Sequence, residues 1–173
     1  MNEVTLKLNP NFIINKTDFL GEITLEVIPS HLKEVLSYFK ASSYRVLMDL
    51  TATDYIYPIK RTKLIYWMHN PDSLERVRII LFVARGESIA SITDIFPGAN
   101  WYERELFDMF GIHFEGHVDL KRILMPDDWK GHPMLRDYAL TEMPVEFKHG
   151  VQPKVPSEII PKVNKLKVHH DYR

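Results

Sequence analysis

The sequence predicts an α+β fold, in which a mixed or antiparallel sheet packs with helices and an extended proline-rich arm follows at the C-terminus. Three observations support this prediction. Strand-like segments alternate with helical ones, two of the strands meet at a turn too short for a parallel crossover, and prolines cluster late in the chain. The predicted core domain comprises residues 1–125, and the predicted arm for partner binding comprises residues 126–173.

The first predicted strand lies at residues 23–27, where apolar and polar side chains alternate. A period of two is expected of a strand that buries one side and exposes the other. A short amphipathic helix is predicted next, because apolar residues recur at helical spacing over residues 32–39. Ser30 precedes this helix, and its hydroxyl is predicted to accept from the first free N–H groups.

Three further strands are predicted at residues 44–53, 63–70 and 75–84, which are rich in β-branched, aromatic and aliphatic side chains. The turn Pro71-Asp72-Ser73 separates the last two. Because a parallel pair needs a crossover of about a dozen residues or more, these two strands are predicted to form an antiparallel hairpin.

A second helix of about three turns is predicted between Asn100 and Gly111. Asn100 and Glu103 have the N-cap and N3 spacing of a capping box, although Asn replaces the usual Ser or Thr. Gly111 stands where a left-handed residue commonly ends a helix. The helical repeat places a charged stripe on one side and a core-like stripe on the other: Trp101, Arg104, Glu105 and Asp108 against Tyr102, Leu106, Met109 and Phe110.

Two charged positions of this helix need an explanation. Arg104 and Asp108 are spaced to pair, but an exposed helical pair stabilises by only about 0.3 to 0.5 kcal/mol. Glu103 falls inside the apolar arc, where an unpaired carboxylate suffers a large desolvation cost. The preferred interpretation is the capping box; the alternative is a buried ion pair with Lys121, with Arg122 or with a cation on another protein.

Composition excludes several classes of function. The formal net charge of -1 provides no broad positive field for nucleic acid, which is not an expected partner. Cysteine is absent, which excludes disulfides, thiolate nucleophiles and cysteine-held clusters in this chain. The longest apolar stretch, residues 79–84, is far too short to span a bilayer. No signal-peptide pattern opens the sequence, so residence in the cytosol or on a cytosolic face is expected.

The predicted arm combines prolines with apolar side chains. Six of the eleven prolines fall after residue 125, a density that blocks both helix and sheet. The segment is nevertheless too apolar for a solvated linker, and a partner surface is the expected burial place for its side chains. After Glu146 the arm is basic, which is typical of a solvated tail or of docking against acidic neighbours or a membrane surface.

A metal site is a remote alternative. His113 and His117, with Glu115, His132 and His149, are residue types that bind zinc or iron. Their order is His-x-Glu-x-His, and flanking glycines disfavour the helix that would bring the two histidines to one face. No catalytic, cofactor-binding or metal-binding residue is predicted.

The segment from Trp101 onward carries a resemblance to a known family. The motif is Glu103-Arg104-Glu105, then Asp108, His117 and Lys121 at set spacing, continuing through Arg122 to Pro126, Trp129 to Pro133, and Asp137-Tyr138. This pattern resembles the signature of the thirty-kilodalton subunit family of proton-translocating NADH:quinone oxidoreductase, respiratory complex I. One departure is visible, because Arg136 is a single basic residue where the family usually has two.

The resemblance implies a non-redox structural subunit of the cytosolic peripheral arm, which braces the quinone-site subunit while electrons pass from NADH to quinone. It implies packing against that forty-nine-kilodalton subunit and against other peripheral-arm subunits, with flavin and iron–sulfur clusters held by those partners. It also implies a peripheral place at the cytoplasmic side of the inner membrane, reached only through the complex. The residues expected at interfaces are Glu103, Arg104, Glu105, Asp108, His117, Lys121, Arg122, Arg136 and Asp137.

Sister complexes remain an open alternative at this point. Membrane-bound hydrogenases, formate hydrogenlyases and the photosynthetic plastoquinone-reducing complex contain an equivalent subunit. One sequence does not separate these assemblies, and the partners that co-purify with the chain would do so.

Overall fold

The described part of the chain, residues 8–138 of a computed structural model, contains seven strands and two α-helices. Short 3-10 turns precede the first strand and the first helix. In chain order the elements are β1 (Ile13–Phe19), β2 (Glu22–Val27), α1 (Leu32–Ala41), β3 (Val46–Tyr55), β4 (Arg61–His69), β5 (Arg76–Ala84), β6 (Ser88–Ala90), α2 (Ala99–Phe110) and β7 (His113–Glu115).

The main sheet has five strands in the order β1-β2-β5-β4-β3. Within it only the β2–β5 pair is parallel; β1–β2, β4–β5 and β3–β4 are antiparallel. The predicted hairpin of β4 and β5 is confirmed, with a regular register from Arg61 opposite Ala84 to His69 opposite Arg76. The mixed sheet packed with helices confirms the predicted α+β class.

The sheet has an inner face that forms the core and an outer face that carries polar and aromatic side chains. Strand β4 alternates between buried and half-buried residues along its whole length, as expected of this arrangement. Both helices contribute to the core on the inner face. The cluster includes Leu25, Leu64, Tyr66, Ile79 and Leu81 of the sheet with Leu36 and Phe39 of α1 and Leu106 of α2.

Sequence patterns did not predict β1 or the short parallel pair β6–β7. Six of the seven residues of β1 are exposed, so this strand carries no buried face that would generate a period of two. Strands β6 and β7 have three residues each and pair with each other only. Elements of this kind lack a hydrophobic signature because little of their surface is buried.

The predicted capping of α1 by Ser30 is wrong. Ser30 lies inside the 3-10 turn Pro29–His31, and the residue at the N-cap is His31, which makes no side-chain capping bond. The N–H of Leu32 instead bonds to the carbonyl of Pro29. The turn therefore satisfies the helix start with backbone groups, as 3-10 turns at helix ends commonly do.

The described chain continues past residue 125 in close contact with the sheet and with α2. The Met134 N–H donates to the Met109 carbonyl of α2 at 3.0 Å, and a compact unit extends to Asp137. The division of the chain at residue 125 stays a prediction. The part of the predicted arm that follows Tyr138 lies outside the described residues. Within residues 8–138, neither helix has the length and apolar character needed to cross a bilayer.

Candidate functional site

The start of α2 differs from the predicted capping box. The helix begins at Ala99 after Gly98, with no side-chain cap, and Asn100 lies inside the helix. Glu103 turns away from the helix start, and its Oε1 accepts the N–H of Ile92 at 2.8 Å. The capping-box interpretation is therefore wrong, because this carboxylate satisfies the loop that precedes the helix.

The alternative partners for Glu103 within the chain are wrong as well. Lys121 pairs with Asp119 at 2.8 Å, and Arg122 pairs with Asp108 at 2.6 Å. Glu103 is fully buried, and its Oε2 has no hydrogen-bond partner within residues 8–138. Burial raises the pKa of Glu103, and this rise is opposed by the Ile92 N–H and the Ser91 hydroxyl.

A second buried polar atom lies in the electrostatic range of Glu103. The Tyr66 hydroxyl is buried and has no hydrogen-bond partner in the part of the chain that the structure describes. Burial, and secondarily the charge of Glu103, raises the pKa of Tyr66 well above its ordinary value. Glu103 on α2 and Tyr66 on β4 thus each bury an oxygen that has no hydrogen-bond partner within residues 8–138.

Asp108 differs from Glu103 because hydrogen-bond donors surround its carboxylate. We call its site the Asp108 anchor (Asp108, Arg122 and the backbone of residues 123–125). Asp108 Oδ2 accepts the N–H groups of Ile123, Leu124 and Met125 at 3.0, 2.8 and 2.8 Å, while Oδ1 accepts Arg122 Nη1 at 2.6 Å. Burial would raise the pKa of Asp108, yet these donors hold that pKa below its ordinary value. The anchor fixes the irregular segment that follows β7 against the helix.

Arg122 extends the anchor to the next part of the chain. Its Nη2 donates to the carbonyls of Trp129 and Gly131 at 3.1 and 3.0 Å. His132 Nδ1 donates to the Asp108 carbonyl at 2.9 Å. Two side chains, Asp108 and Arg122, therefore organise residues 122–132 in the absence of regular secondary structure.

Gly111 makes the close approach of His132 possible. Its φ of +74° confirms the predicted left-handed end of the helix. A Cβ atom at this position would lie only 2.6 Å from Cδ2 of His132. Glycine is required here for two reasons, because it adopts the positive φ without strain and leaves room for the imidazole.

The predicted charged stripe of α2 is only partly correct. Trp101 and Glu105 are exposed, whereas Asp108 is fully buried beneath residues 122–125. The pair that the spacing of Arg104 and Asp108 would allow is not formed, because Asp108 pairs with Arg122. Arg104 instead donates to the carbonyls of Lys121 and Arg122, both at 3.1 Å, because the segment after β7 returns across the helix.

The candidate metal-binding histidines have other contacts. His117 Nε2 lies 3.3 Å from the Asn100 carbonyl, and His117 Nδ1 accepts the Asp119 N–H at 3.1 Å. His113 is exposed on β7, and His149 lies outside the described residues. Over residues 8–138, no group of three or more histidine, aspartate or glutamate side chains is arranged to hold a metal ion.

A separate ion-pair network, which we call the Arg85 clasp, consists of Asp54, Lys60, Arg85 and Asp137. Arg85 donates to the buried carboxylate of Asp54 and, through Nη1, to both oxygens of Asp137 at 2.8 and 2.7 Å. Lys60 Nζ reaches Asp137 at 3.0 Å, and the N–H of Arg136 donates to Asp54 at 2.9 Å. Arg85 first, and Lys60 second, lower the pKa of Asp137 to about 2.

The structure distributes seven of the nine predicted interface residues over three places, while Glu105 is exposed on α2 and Lys121 pairs with Asp119. Arg104, Asp108, His117 and Arg122 hold the segment after β7; Asp137 and the backbone of Arg136 belong to the clasp; Glu103 contacts the loop before α2. Sequence reasoning missed Lys60 and Arg85, because the clasp joins residues far apart in the chain and has no local spacing that would reveal it.

The α+β fold of this chain matches chains in two solved structures. The structure of a membrane-bound sulfane sulfur reductase, an archaeal respiratory membrane complex, contains a chain that matches with a TM-score of 0.71. This match covers 80% of this chain and 83% of that chain at 21% identity, and it shows the fold alone. A trypsin-resistant fragment of Nqo5 matches with a TM-score of 0.55 at 28% identity, covering 60% of this chain and 86% of that one.

The family follows from the sequence comparison. The model for the respiratory-chain NADH dehydrogenase 30 Kd subunit matches residues 25–144, and the chain belongs to this family. An NADH-quinone oxidoreductase subunit of Ruegeria pomeroyi is 38% identical over 124 residues. That alignment covers 70% of this chain and 62% of the relative, so the chain spans less than two thirds of that protein. The predicted family resemblance is confirmed.

Proposed function

We propose that this chain is a structural subunit of NADH:quinone oxidoreductase that braces the forty-nine-kilodalton quinone-site subunit while electrons pass from NADH to quinone, coupled to proton translocation. In this proposal the chain holds no redox centre, and flavin and iron–sulfur clusters belong to partner subunits. Its place is the peripheral arm on the cytoplasmic side of the inner membrane. Family membership supports the assembly, and the Asp108 anchor is the observation that carries the structural role.

The anchor supports this proposal because two charged residues of the family motif, Asp108 and Arg122, bond to groups of their own chain. Asp108 is fully buried, and its carboxylate accepts three backbone N–H groups and one guanidinium N–H of the same chain. Arg122 likewise bonds to three carbonyls and one carboxylate of the same chain. Charged groups whose hydrogen bonds are made within their own chain are suited to hold the shape of a surface, rather than to transfer protons or bind a reactant.

The Arg85 clasp supports a related step, the presentation of the C-terminal arm. It fixes Arg136 and Asp137, which lie within the predicted arm of residues 126–173, to the ends of β3 and β5. Arg85 is only 20% exposed and contacts two carboxylates, so the attachment is stronger than an isolated surface ion pair. The clasp would set the point from which the arm reaches the quinone-site subunit.

Truncation after Tyr138 tests the proposal. The shortened chain is expected to keep a cooperative unfolding transition, because the anchor and the clasp remain, and to recover less of the quinone-site subunit when the complex is purified through a tag on this chain. A chain shortened only after Lys167 serves as the control. Unchanged recovery of the quinone-site subunit by the Tyr138 truncation would contradict the proposal.

A second candidate is the equivalent subunit of a sister complex, which the fold shared with the sulfane sulfur reductase chain favours. Mass spectrometry of the purified complex separates the two. NADH-binding flavoprotein subunits are expected for the respiratory assembly, whereas a nickel–iron large subunit would indicate a membrane-bound hydrogenase.

A further inference from the structure

The outer face of the sheet carries aromatic and cationic side chains that no helix of residues 8–138 covers, since both helices contribute to the core on the inner face. Tyr55, Trp67 and Phe82 are half-buried on adjacent strands of this outer face. Solvated sheet faces are usually polar, whereas aromatic and arginine side chains are enriched at protein interfaces. The composition of this face is therefore that of an interaction surface.

One end of the face forms a cluster of Arg61, Lys63 and Phe82, which we call the Phe82 patch. The Arg61 guanidinium carbon lies 3.9 Å from the centre of the Phe82 ring, and Lys63 Nζ lies 6.0 Å from it. Tyr55 packs edge-on against the same ring, with the two centres 6.1 Å apart. Stacking on an aromatic ring restricts the rotamers of Arg61 and orients its planar donor groups before any partner arrives.

The charges of the Phe82 patch lack counter-ions in the described part of the chain. Over residues 8–138, neither Arg61 nor Lys63 forms an ion pair with an aspartate or glutamate. Arg61 Nε is buried, and none of the described residues accepts a hydrogen bond from it. The patch therefore presents two cations, without a counter-ion within residues 8–138, beside an apolar ring.

The other end of the face provides an internal comparison. Arg78 stacks on Trp67, with its guanidinium carbon 4.2 Å from the ring centre, in nearly the same arrangement as Arg61 on Phe82. Arg78, however, also pairs with Glu22 at 3.2 Å. The same cation–ring contact thus occurs once with a counter-ion from the chain and once without.

We propose that the Phe82 patch docks an acidic segment of a neighbouring subunit, whose carboxylates bind Arg61 and Lys63. This inference rests on the proposed function, which provides the assembly. Charge complementarity selects the occupant, because a guanidinium fork matches a carboxylate. The chain's own C-terminal stretch does not fit: after Glu146 it has six basic and two acidic residues, an excess of 6 - 2 = 4 positive charges. Two cations are also fewer than stable binding to an anionic membrane surface needs.

Photochemical cross-linking in the assembled complex tests which occupant is present. Thr53 lies beside Lys63 on the outer face, so a photoreactive benzoylphenylalanine at this position leaves all three patch residues in place. The expected product joins residue 53 to an aspartate- or glutamate-rich peptide of another subunit. Adducts only with this chain's own arm, with a second copy, with lipid or with solvent would overturn the proposal.

Charge removal provides an independent readout. In the double variant Arg61→Gln with Lys63→Gln, the fraction of chain retained in the complex at moderate salt is expected to fall about tenfold, with a weaker dependence on salt than in the unmodified complex. Arg78→Gln is the matched control and should retain the chain normally. Equal retention of the double variant and the control at every salt concentration would overturn the proposal.

Two further results keep the test decisive. If the double variant does not fold, as judged by its unfolding transition, the cross-link at Thr53 decides alone because that chain keeps both cations. If the unmodified chain does not co-purify with any oxidoreductase subunit, the proposed function itself fails. Co-purification without a role for the Phe82 patch would refute only the docking proposal.

Discussion

Glu103 and Asp108 lie on the same helix and are both fully buried, yet the two carboxylates differ in the number of hydrogen-bond donors around them. Asp108 receives three backbone N–H groups and a guanidinium, and its pKa is lowered. Glu103 receives one backbone N–H, its other oxygen has no hydrogen-bond partner among the described residues, and its pKa is raised. Burial raises the pKa of both carboxyl groups, and hydrogen-bond donors lower it. The number of donors therefore decides the direction of the net pKa shift.

The two shifts have opposite consequences for stability against pH. The lowered pKa of Asp108 means that its stabilising contribution is present above the unfolded pKa and is lost as pH falls through the folded pKa. The raised pKa of Glu103 means that its contribution is greatest below the unfolded pKa and is lost as pH rises through the folded pKa. One carboxyl group favours the folded chain at neutral pH, and the other opposes it.

The largest expected effect is that of Asp108→Ala. Removing this carboxylate leaves Arg122 partly buried without its counter-ion and frees the N–H groups of residues 123–125, so the free energy of unfolding is expected to fall by about 3 to 5 kcal/mol. Urea unfolding at neutral pH measures the loss. Asp119→Ala is the control, because Asp119 forms an exposed pair with Lys121. Equal stability of the two variants would contradict the anchor.

A smaller loss is expected for Gly111→Ala. A left-handed backbone costs a residue with a Cβ about 1 to 2 kcal/mol, and the displaced His132 ring adds to this cost. Gly86→Ala is a matched control, since Gly86 has a φ of +86° but open space around it. Thermal or urea unfolding should show a larger loss at residue 111 than at residue 86. Equal losses would mean that the contact with His132 contributes nothing.

The smallest expected effect, and the only gain, is that of Glu103→Gln. A neutral amide carries no charge to desolvate and keeps an oxygen for the Ile92 N–H, so stability at pH 7 is expected to rise by up to about 1 kcal/mol. The difference from the unmodified chain should shrink as pH falls toward the unfolded pKa of Glu103. A difference that grows at low pH would show that Glu103 is stabilised as the charged form.

The sequence predicted those features that depend on neighbouring residues. The strands of the central hairpin, both helices and the left-handed end at Gly111 follow from local spacing, and the structure contains them. Caps were less predictable: Ser30 has the right chemistry, but a backbone turn satisfies the helix start instead. Several groups can satisfy the same N–H groups, and a local pattern does not show which of them does so.

The roles of the charged residues depended on contacts that no local pattern contains. Asp108 was expected on an exposed stripe because the helix alone determines that stripe, whereas residues 122–125 return and cover it. Irregular segments have no repeating pattern of apolar residues, so the path of this segment across α2 was not predictable from the sequence. The sequence places these charged residues on α2, but their partners became visible only in the folded chain.

In the function proposed above, the buried charges of α2 hold the shape of a structural subunit and take no part in the reaction. The direct test is to measure, in cells that carry Asp108→Ala in this chain, both the amount of assembled NADH:quinone oxidoreductase and its turnover per assembled complex. We expect less complex, with unchanged turnover in the complex that does assemble. A normal amount of complex with lost turnover would contradict this role.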